Sequence, residues 1–233
     1  MKLCVIPARG GSKRIPRKNI KLFNGKPIIA YSIESALQSQ CFDKVIVSTD
    51  DEEIARIAKS YGAEVPFIRP GILANDHAGT LPVIKHAIEW FEQQNTIVTE
   101  VCCLYATAPF VQVAAIQKAY QQLQITKAQY CFTVTSFPFP IQRAIKVNAD
   151  NRVEMLQPEY CNARSQDLEE TYHDAGQFYW GKVNAFKAML PLFSQQASPY
   201  ILPQYLVQDI DTKEDWMRAE LMYKILITTD KFQ

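Results

Sequence analysis

The stretch KLCVIPARGGSKRIPRKN at residues 2–19 decides the fold. Its first part is a short apolar run that predicts a buried β-strand, and its second part is a turn rich in glycine and basic residues. Residues 27–40 have the spacing of an amphipathic helix, and KVIVSTD at 44–50 predicts a second strand. A strand, a helix and a strand in this order indicate a βαβ unit with parallel strands.

The same alternation continues along the chain. Further strands are predicted over 63–70, 100–109 and 128–137, and further helices over 51–62, 80–94 and 111–124. The pattern stops over 137–176, which contains a candidate hairpin near 148–151, and it resumes with a strand at 177–183, a helix near 184–192, a strand near 200–207 and a helix over 213–226. We therefore predict one α/β domain over residues 1–233, with a mostly parallel sheet, helices on both faces, and an arm over 137–176 outside the sheet.

The charge of the chain is balanced overall but uneven along its length. The 25 Lys and Arg residues and 24 Asp and Glu residues give a formal net charge of +1, which argues against nucleic acid or an anionic membrane as a partner. Residues 1–33 nevertheless hold eight basic residues and no acidic one, so the remaining 200 residues carry 17 basic against 24 acidic side chains. The positive charge is local, and it predicts a small anionic ligand.

Other sequence features bear on location. No run of about 18 uninterrupted apolar residues is present, and the apolar start before Arg9 is too short for a secretory signal. The six cysteines show no C-x-x-C spacing, and most of them lie in apolar segments. We expect reduced thiols in a cytoplasmic protein without a membrane span.

Residues 7–19, called here the basic loop, follow the first strand directly. Five cations gather around Gly10, Gly11 and Ser12: Arg9, Lys13, Arg14, Arg17 and Lys18. Ligands of open α/β sheets bind outside the carboxyl ends of the strands, and backbone N–H groups with clustered cations suit a polyphosphate. The loop matches neither the Walker A nor the G-x-G-x-x-G pattern, and the alternative is a solvated basic loop.

Several long motifs identify a family. The strings IPARGGSKRIPRKN (6–19), GKPIIAYSIESA (25–36), VIVSTDDEEIA (45–55), GAEVPFIRPGILANDHA (62–78) and DIDTKED (209–215) together resemble the CMP-sialic acid synthetase family of cytidylyltransferases. The resemblance implies a Rossmann-like α/β core with a protruding dimerisation arm, and hence a homodimer. It also implies a reaction that joins CTP to a nine-carbon acidic sugar with release of pyrophosphate.

The resemblance also implies roles for individual residues. The residues expected to hold the CTP phosphates and nearby groups are Arg9, Gly10, Ser12, Lys13, Lys18 and Asn19. The residues expected to contact cytosine and ribose are Arg69, Ala74, Asp76 and Thr80, within or before the 73–80 loop. Arg9 and Lys18 are also expected to be catalytic, because negative charge develops on the leaving pyrophosphate.

Asp209 and Asp211 form the candidate metal site. They lie two residues apart, so on an extended segment both carboxylates point to one side, and Mg²⁺ binds carboxylate together with phosphate oxygens. The family match also places the metal at this pair. The alternative is local, since Asp211 or Thr212 could cap the following helix, with Glu214 or Asp215 completing a capping arrangement. Asp211, or a water on the metal, is the candidate base for the anomeric hydroxyl of the sugar.

Two departures from the usual family pattern concern the sugar. LYATAP (104–109) has Tyr105 where the family commonly has Gln, and HDAGQFYWG (173–181) replaces another family motif. These strings resemble the branch that acts on pseudaminic acid, a diacetamido, deoxygenated nonulosonic acid. Tyr105, Gln177 and Tyr179 are the expected sugar contacts, although Tyr179 could equally be a core residue of a strand. The same reaction on N-acetylneuraminic or legionaminic acid is the alternative.

Arg164 is the expected contact in trans. In the family the arm crosses to a second subunit, where its basic residue reaches the sugar site of the partner and meets a carboxylate. The alternative is a surface arginine paired with Asp167 or Glu169 of its own chain.

Overall fold

The structure is a computed structural model that describes residues 1–75 and 78–229. The strands, in chain order, are β1 (Lys2–Pro7), β2 (Leu22–Phe23), β3 (Lys26–Pro27), β4 (Lys44–Ser48), β5 (Glu100–Leu104), β6 (Tyr130–Ser136), β7 (Ile145–Val147), β8 (Val153–Met155), β9 (Tyr172–Lys182) and β10 (Ala197–Ile201). The helices are α1 (Ile28–Ser39), α2 (Glu52–Ser60), α3 (Thr80–Gln93), α4 (Val113–Thr126), α5 (Val183–Lys187) and α6 (Lys213–Thr228). None of the helices in these ranges has the length and apolar character needed to cross a membrane.

The central sheet has the order β10-β6-β9-β5-β1-β4. Strand β1 is parallel to both β4 and β5, and β10 is parallel to β6. Strand β9 runs antiparallel between β5 and β6. This mixed but mostly parallel α/β sheet confirms the predicted fold class.

Helices cover both faces of the sheet, because each helix presents one apolar stripe to it. On one face, α1, α2 and α4 pack a core that includes Ile33, Ile54 and Ile116. On the other face, α3 and α5 bury Ile88 and Phe186. Helix α6 packs at one end of the sheet, where Trp216 joins a separate aromatic cluster.

Strand β1 lies at the point where the strand order reverses, with β4 on one side and β5 on the other. The chain therefore opens a crevice beyond the carboxyl ends of these three strands, which is where open α/β sheets bind ligands. The basic loop leaves β1 at this point, Asp50 follows β4, and Tyr105 follows β5. The fold thus brings three distant sequence motifs to one edge of the sheet.

Several predicted strands differ from the structure. The strand expected over 63–70 is wrong: this segment makes only isolated bridges at Glu64 and Ile68, because Pro66 between them has no N–H to donate. Strand β9 begins at Tyr172, five residues before the predicted start at 177. Strand β10 ends at Ile201, so it shares only two residues with the strand predicted over 200–207. The small hairpin of β2 and β3 was not predicted, although Asn24 and Gly25 have the positive φ angles of a tight turn.

The segment expected as an arm contains the predicted hairpin. Strands β7 and β8 pair with each other and with no strand of the central sheet, so this part of 137–176 lies outside it. Several apolar side chains there are exposed, among them Phe139 at 80%, Val147 at 63% and Val153 at 68%. Residues 172–176, by contrast, belong to β9.

Candidate active site

A cavity of about 300 Å³ lies in the crevice beyond β1. Most residues predicted to bind CTP line it: Arg9, Ser12, Lys13, Lys18, Asn19, Arg69 and Thr80. Asp211 lines the same cavity, and so does Tyr105. The structure thus brings the basic loop, the end of β5 and the start of α6 around one space.

The backbone of the basic loop is held by contacts within the protein. The Gly10 N–H donates to Asp50 Oδ1 at 2.9 Å, and Asn19 Nδ2 donates to the Arg9 carbonyl at 2.9 Å. A Cβ at Gly10 would lie 2.8 Å from Asp51 Oδ2, so only glycine fits there without a shift. Gly10 does not line the cavity, and its N–H is bound to Asp50, so its contact with CTP stays a prediction.

Lys18 and Arg14 converge on one carboxylate. Lys18 Nζ lies 2.7 Å from the Ile210 carbonyl and 3.2 Å from Asp211 Oδ1, and Arg14 lies 2.8 Å from Asp211 Oδ2. The Lys18 side chain is 20% exposed and the Arg14 side chain is 66% exposed. Two cations that line the cavity are therefore oriented by the segment before α6.

Arg17 points elsewhere. Its guanidinium binds Asp51 through both terminal nitrogens and also binds Glu53, at the start of α2. The hydrogen bonds from Arg17 lower the pKa of Asp51 to about 2. Of the five cations in the basic loop, Arg17 alone does not line the cavity, because Asp51 and Glu53 at the start of α2 bind its guanidinium.

Arg69 is a buried cation in the wall of the cavity, 4% exposed. Its Nε donates to Ser48 Oγ at 3.1 Å, and the guanidinium also donates to the Ser48 carbonyl. Burial lowers the pKa of Arg69 to about 10. Arg69 therefore ties the end of β4 to the turn at Leu73, whose carbonyl lies 3.4 Å from the guanidinium.

The loop after Arg69 carries three further predicted residues. Thr80 begins α3 and lines the cavity, with its hydroxyl 3.4 Å from the Tyr105 hydroxyl. Ala74 follows a short turn of helix and does not line the cavity, and its contact with CTP stays a prediction. Asp76 lies outside the described residues.

A second cavity of about 650 Å³ adjoins the first. Tyr105 and Thr107 line both cavities, so the end of β5 forms their common wall. Asp174 and Asp209 line the second cavity, together with several hydroxyl and amide side chains. The second cavity has the polar lining expected of a site for a hydroxylated or amidated ligand.

Tyr105 therefore lies where a sugar contact was predicted, but Gln177 and Tyr179 do not line either cavity. Gln177 is 4% exposed and donates to the Leu206 carbonyl at 2.6 Å. Tyr179 is 2% exposed, and its hydroxyl donates to Asp174 while its ring packs 5.3 Å from that of Tyr105. Both side chains are therefore buried and bonded within the protein, and their contact with the sugar stays a prediction.

Asp209 and Asp211 are close enough to interact but face different cavities. Asp211 lines the first cavity and Asp209 lines the second. Burial, followed by the negative charge of Asp211, raises the pKa of Asp209. Thr212 caps α6 and forms a capping box with Asp215. The predicted capping contact is therefore present, and it does not use the side chains of Asp209 and Asp211.

Asp209 and Asp211 could hold a divalent cation only together with further ligands from outside the protein. Among residues 1–75 and 78–229, no three His, Cys, Asp or Glu side chains are grouped as metal ligands. Mg²⁺ is usually held by one or two carboxylates together with substrate phosphates and water. The donor set therefore fits a cation that arrives with a triphosphate.

Arg164 lies in the arm and pairs with Asp167 of its own chain at 2.7 Å, with its side chain 72% exposed. It lines neither cavity within this protomer. Its role in trans stays a prediction.

The sequence reasoning missed Asp174 and Thr107. Asp174 lines the second cavity, accepts the Tyr179 hydroxyl and also accepts the Gly176 N–H at 2.9 Å. Both residues lie inside the two strings that already pointed to the sugar, LYATAP and HDAGQFYWG, next to or near the predicted residues Tyr105 and Gln177.

Comparison with known proteins gives a consistent result. The sequence matches the family model "Cytidylyltransferase" over residues 3–231. It is 48% identical over 223 residues to the pseudaminic acid cytidylyltransferase of Campylobacter jejuni strain NCTC 11168, covering 96% of each chain. It is 31% identical over 231 residues to the CMP-N,N'-diacetyllegionaminic acid synthase of Legionella pneumophila, covering 96% of each chain.

A solved structure shares the fold. A CMP:2-keto-3-deoxy-manno-octonic acid synthetase complexed with CTP matches with a TM-score of 0.71 at 16% identity. The match covers 96% of this chain and 98% of that one. The likeness supports the Rossmann-like architecture of the core.

Proposed function

Since the chain belongs to the cytidylyltransferase family, we propose that it transfers CMP from CTP to the anomeric hydroxyl of pseudaminic acid and releases pyrophosphate. The observation that carries this proposal is a pair of adjoining cavities that share Tyr105 and Thr107. The basic loop lines only the first cavity, which suits the triphosphate. The 48% identity to a pseudaminic acid cytidylyltransferase over almost the whole chain supports the choice of sugar.

CTP is proposed to bind in the first cavity with its phosphates beside the basic loop. Arg9, Lys13 and Lys18 line this space and would neutralise the triphosphate. Arg69 and Thr80 line the same cavity and would contact the nucleoside. Asn19 would act by holding the Arg9 carbonyl, which fixes the loop.

The proposed chemistry is a substitution at the α-phosphorus. The anomeric oxygen forms a bond to this phosphorus while the bond to the bridging oxygen of the leaving pyrophosphate breaks. Negative charge grows on the leaving group, and preorganised cations such as Arg9 and Lys18 stabilise it. The proton of the anomeric hydroxyl is proposed to pass to the Asp211 carboxylate, because Asp211 lines the first cavity and Asp209, two residues before it, lines the adjoining second cavity.

A divalent cation, Mg²⁺, is proposed to be held by Asp209 and Asp211 together with the triphosphate. When bound, it would polarise the phosphoryl oxygens and neutralise part of their charge. The two carboxylates lie beside the cations Lys18 and Arg14, so charge of both signs surrounds the reacting phosphates.

Pseudaminic acid is proposed to bind in the second cavity. Its deoxygenated, diacetamido character suits a wall that presents the Tyr105 ring in addition to hydroxyl groups. Asp174 offers a carboxylate there that can accept an amide N–H. The same reaction on a legionaminic or N-acetylneuraminic acid is the alternative, and the 31% identity to the Legionella enzyme supports keeping it in the test.

A homodimer and a cytoplasmic location are part of the proposal. The exposed Phe139, Val147 and Val153 of the arm support an apolar contact with a second copy. In that dimer Arg164 would exchange its Asp167 partner for the sugar carboxylate in the other subunit. All six cysteines are free, which suits a reducing compartment.

The test is a pyrophosphate-release assay with CTP, Mg²⁺ and one sugar at a time. We expect release with pseudaminic acid and far slower release with legionaminic or N-acetylneuraminic acid. Activity with N-acetylneuraminic acid alone would overturn the choice of sugar. No release with any of the three would overturn the proposed reaction.

A further inference from the structure

We propose that Arg17 is a positioning residue for CTP: it fixes the backbone that carries Lys18 by binding two carboxylates at the start of α2. This inference rests on the proposed function, because it assumes that the basic loop holds the phosphates of CTP. Arg17 itself lines neither cavity, so its effect must pass through the loop.

The conformation of Arg17 shows that it is held in place. Its backbone has φ of 56°, in the left-handed region that non-glycine residues seldom adopt unless their surroundings hold them. Its guanidinium meets both oxygens of Asp51, with NH2 2.9 Å from Oδ1, and also meets Glu53. A guanidinium that binds one carboxylate through two nitrogens has a fixed orientation, which a single contact would not give.

The carboxylate that holds Arg17 is itself anchored. Asp51 caps α2, and its Oδ1 accepts the Ile54 N–H at 3.0 Å. The preceding residue, Asp50, accepts the Gly10 N–H at 2.9 Å. Two consecutive residues between β4 and α2 therefore tie the basic loop at both ends, at Gly10 and at Arg17.

Several residues between or next to Gly10 and Arg17 line the first cavity. Ser12 and Lys13 lie between them, and Lys18 follows Arg17 directly. The Lys18 ammonium reaches to the opposite side, 2.7 Å from the Ile210 carbonyl. The dipeptide of Arg17 and Lys18 thus spans the space between α2 and the segment before α6, and it holds the loop before the ligand arrives.

Loss of Arg17 would remove the contact between the basic loop and the start of α2, and would leave the Lys18 and Asn19 contacts to hold that part of the loop. CTP would then have to order the loop on binding, and a ligand that must order its site binds more weakly. The second cavity contains no residue of the basic loop, so binding of the sugar would not change. A role in CTP binding predicts an effect on one substrate, whereas a merely structural role would affect both.

The experiment compares Arg17→Ala, Arg17→Lys and Asp51→Asn with the wild type. Calorimetry measures CTP binding without sugar, and initial rates give KM for each substrate. Asn at position 51 retains an oxygen that can cap α2, so this variant removes the ion pair and spares the cap. Lys187→Ala is the matched control, because Lys187 pairs with Glu92 at 2.8 Å on the surface and lines neither cavity.

We expect Arg17→Ala to weaken CTP binding and raise KM for CTP by about tenfold, with KM for the sugar unchanged within about twofold. Asp51→Asn should reproduce most of this loss, Arg17→Lys should restore part of it, and Lys187→Ala should behave as wild type. The double variant Arg17→Ala with Asp51→Asn should bind CTP as tightly as Arg17→Ala does, because the two substitutions break the same ion pair.

Two results would overturn the inference. One is wild-type CTP binding by Arg17→Ala, and the other is an equal rise in KM for both substrates together with a lower melting temperature. A wild type that binds CTP but turns over none of the sugars would refute the sugar assignment and leave the role of Arg17 intact. A wild type that binds no CTP would refute both.

Discussion

Replacing Lys18 by alanine is the perturbation that bears most directly on the proposed mechanism. The Lys18 side chain is 20% exposed and lines the first cavity, and its ammonium is oriented by the Ile210 carbonyl at 2.7 Å and Asp211 at 3.2 Å. It is therefore preorganised beside the position proposed for the leaving pyrophosphate. Loss of one preorganised donor costs about 10²- to 10³-fold in turnover, or roughly 2.7–4 kcal/mol of transition-state stabilisation. We expect a loss of kcat in this range for Lys18→Ala.

The assay is pyrophosphate release at saturating CTP and sugar, with single-turnover rates to separate chemistry from product release. Lys44→Ala is the matched control, because Lys44 forms an exposed ion pair with Glu64 at 2.7 Å and lines neither cavity. Thermal unfolding of both variants checks that the fold is retained. A kcat for Lys18→Ala within about threefold of the wild type, with the fold intact, would remove Lys18 from the catalytic step.

Three further predictions concern the basic loop, the loss of stability at low pH and the cap of α6. Gly10→Ala places a Cβ 2.8 Å from Asp51 Oδ2, so we expect about 1–3 kcal/mol of destabilisation in denaturant titrations together with weaker CTP binding; unchanged stability would show that the loop yields freely. The pKa of Asp51 is lowered from 3.8 to about 2, so its contribution to stability is present above pH 3.8 and is lost as the pH falls toward 2. Asp51→Asn should therefore lose less stability than wild type across that interval, and equal acid slopes of the unfolding free energy would contradict this. Thr212→Ala removes the cap of α6 and should cost about 1 kcal/mol, or about 2–4 °C in melting temperature, while Thr212→Ser should be near wild type; an equal loss in both variants would contradict the capping role.

The first half of the fold could be predicted from sequence because its signals are local. An apolar run, a glycine turn and an amphipathic helix before the strand at 44–48 each fix their own segment. The wrong strand at 63–70 had an apolar composition, but Pro66 interrupts its hydrogen bonding. The antiparallel insertion of β9 between β5 and β6 depends on pairing between distant segments, which periodicity does not record.

The site shows the same division between local and distant information. Composition correctly located the basic loop, but it could not reveal that Arg17 turns toward Asp51, 34 residues away in the sequence. The alternation of side chains along a strand predicted that Gln177 and Tyr179 share one face. It could not predict that their hydrogen bonds go to Leu206 and Asp174, which are not part of that alternation. Residue types in a motif therefore predicted the chemistry of the site, and the contacts decided which members line it.

This nucleotidyltransferase is proposed to join CMP to pseudaminic acid. A competition reaction tests it most directly: the enzyme, CTP and Mg²⁺ are mixed with equal concentrations of pseudaminic, legionaminic and N-acetylneuraminic acid, and the CMP-sugars are identified by mass spectrometry at low conversion. The ratio of products reports the ratio of kcat/KM values. We predict that CMP-pseudaminic acid is the dominant product. If either other CMP-sugar dominates, pseudaminic acid is not the preferred substrate.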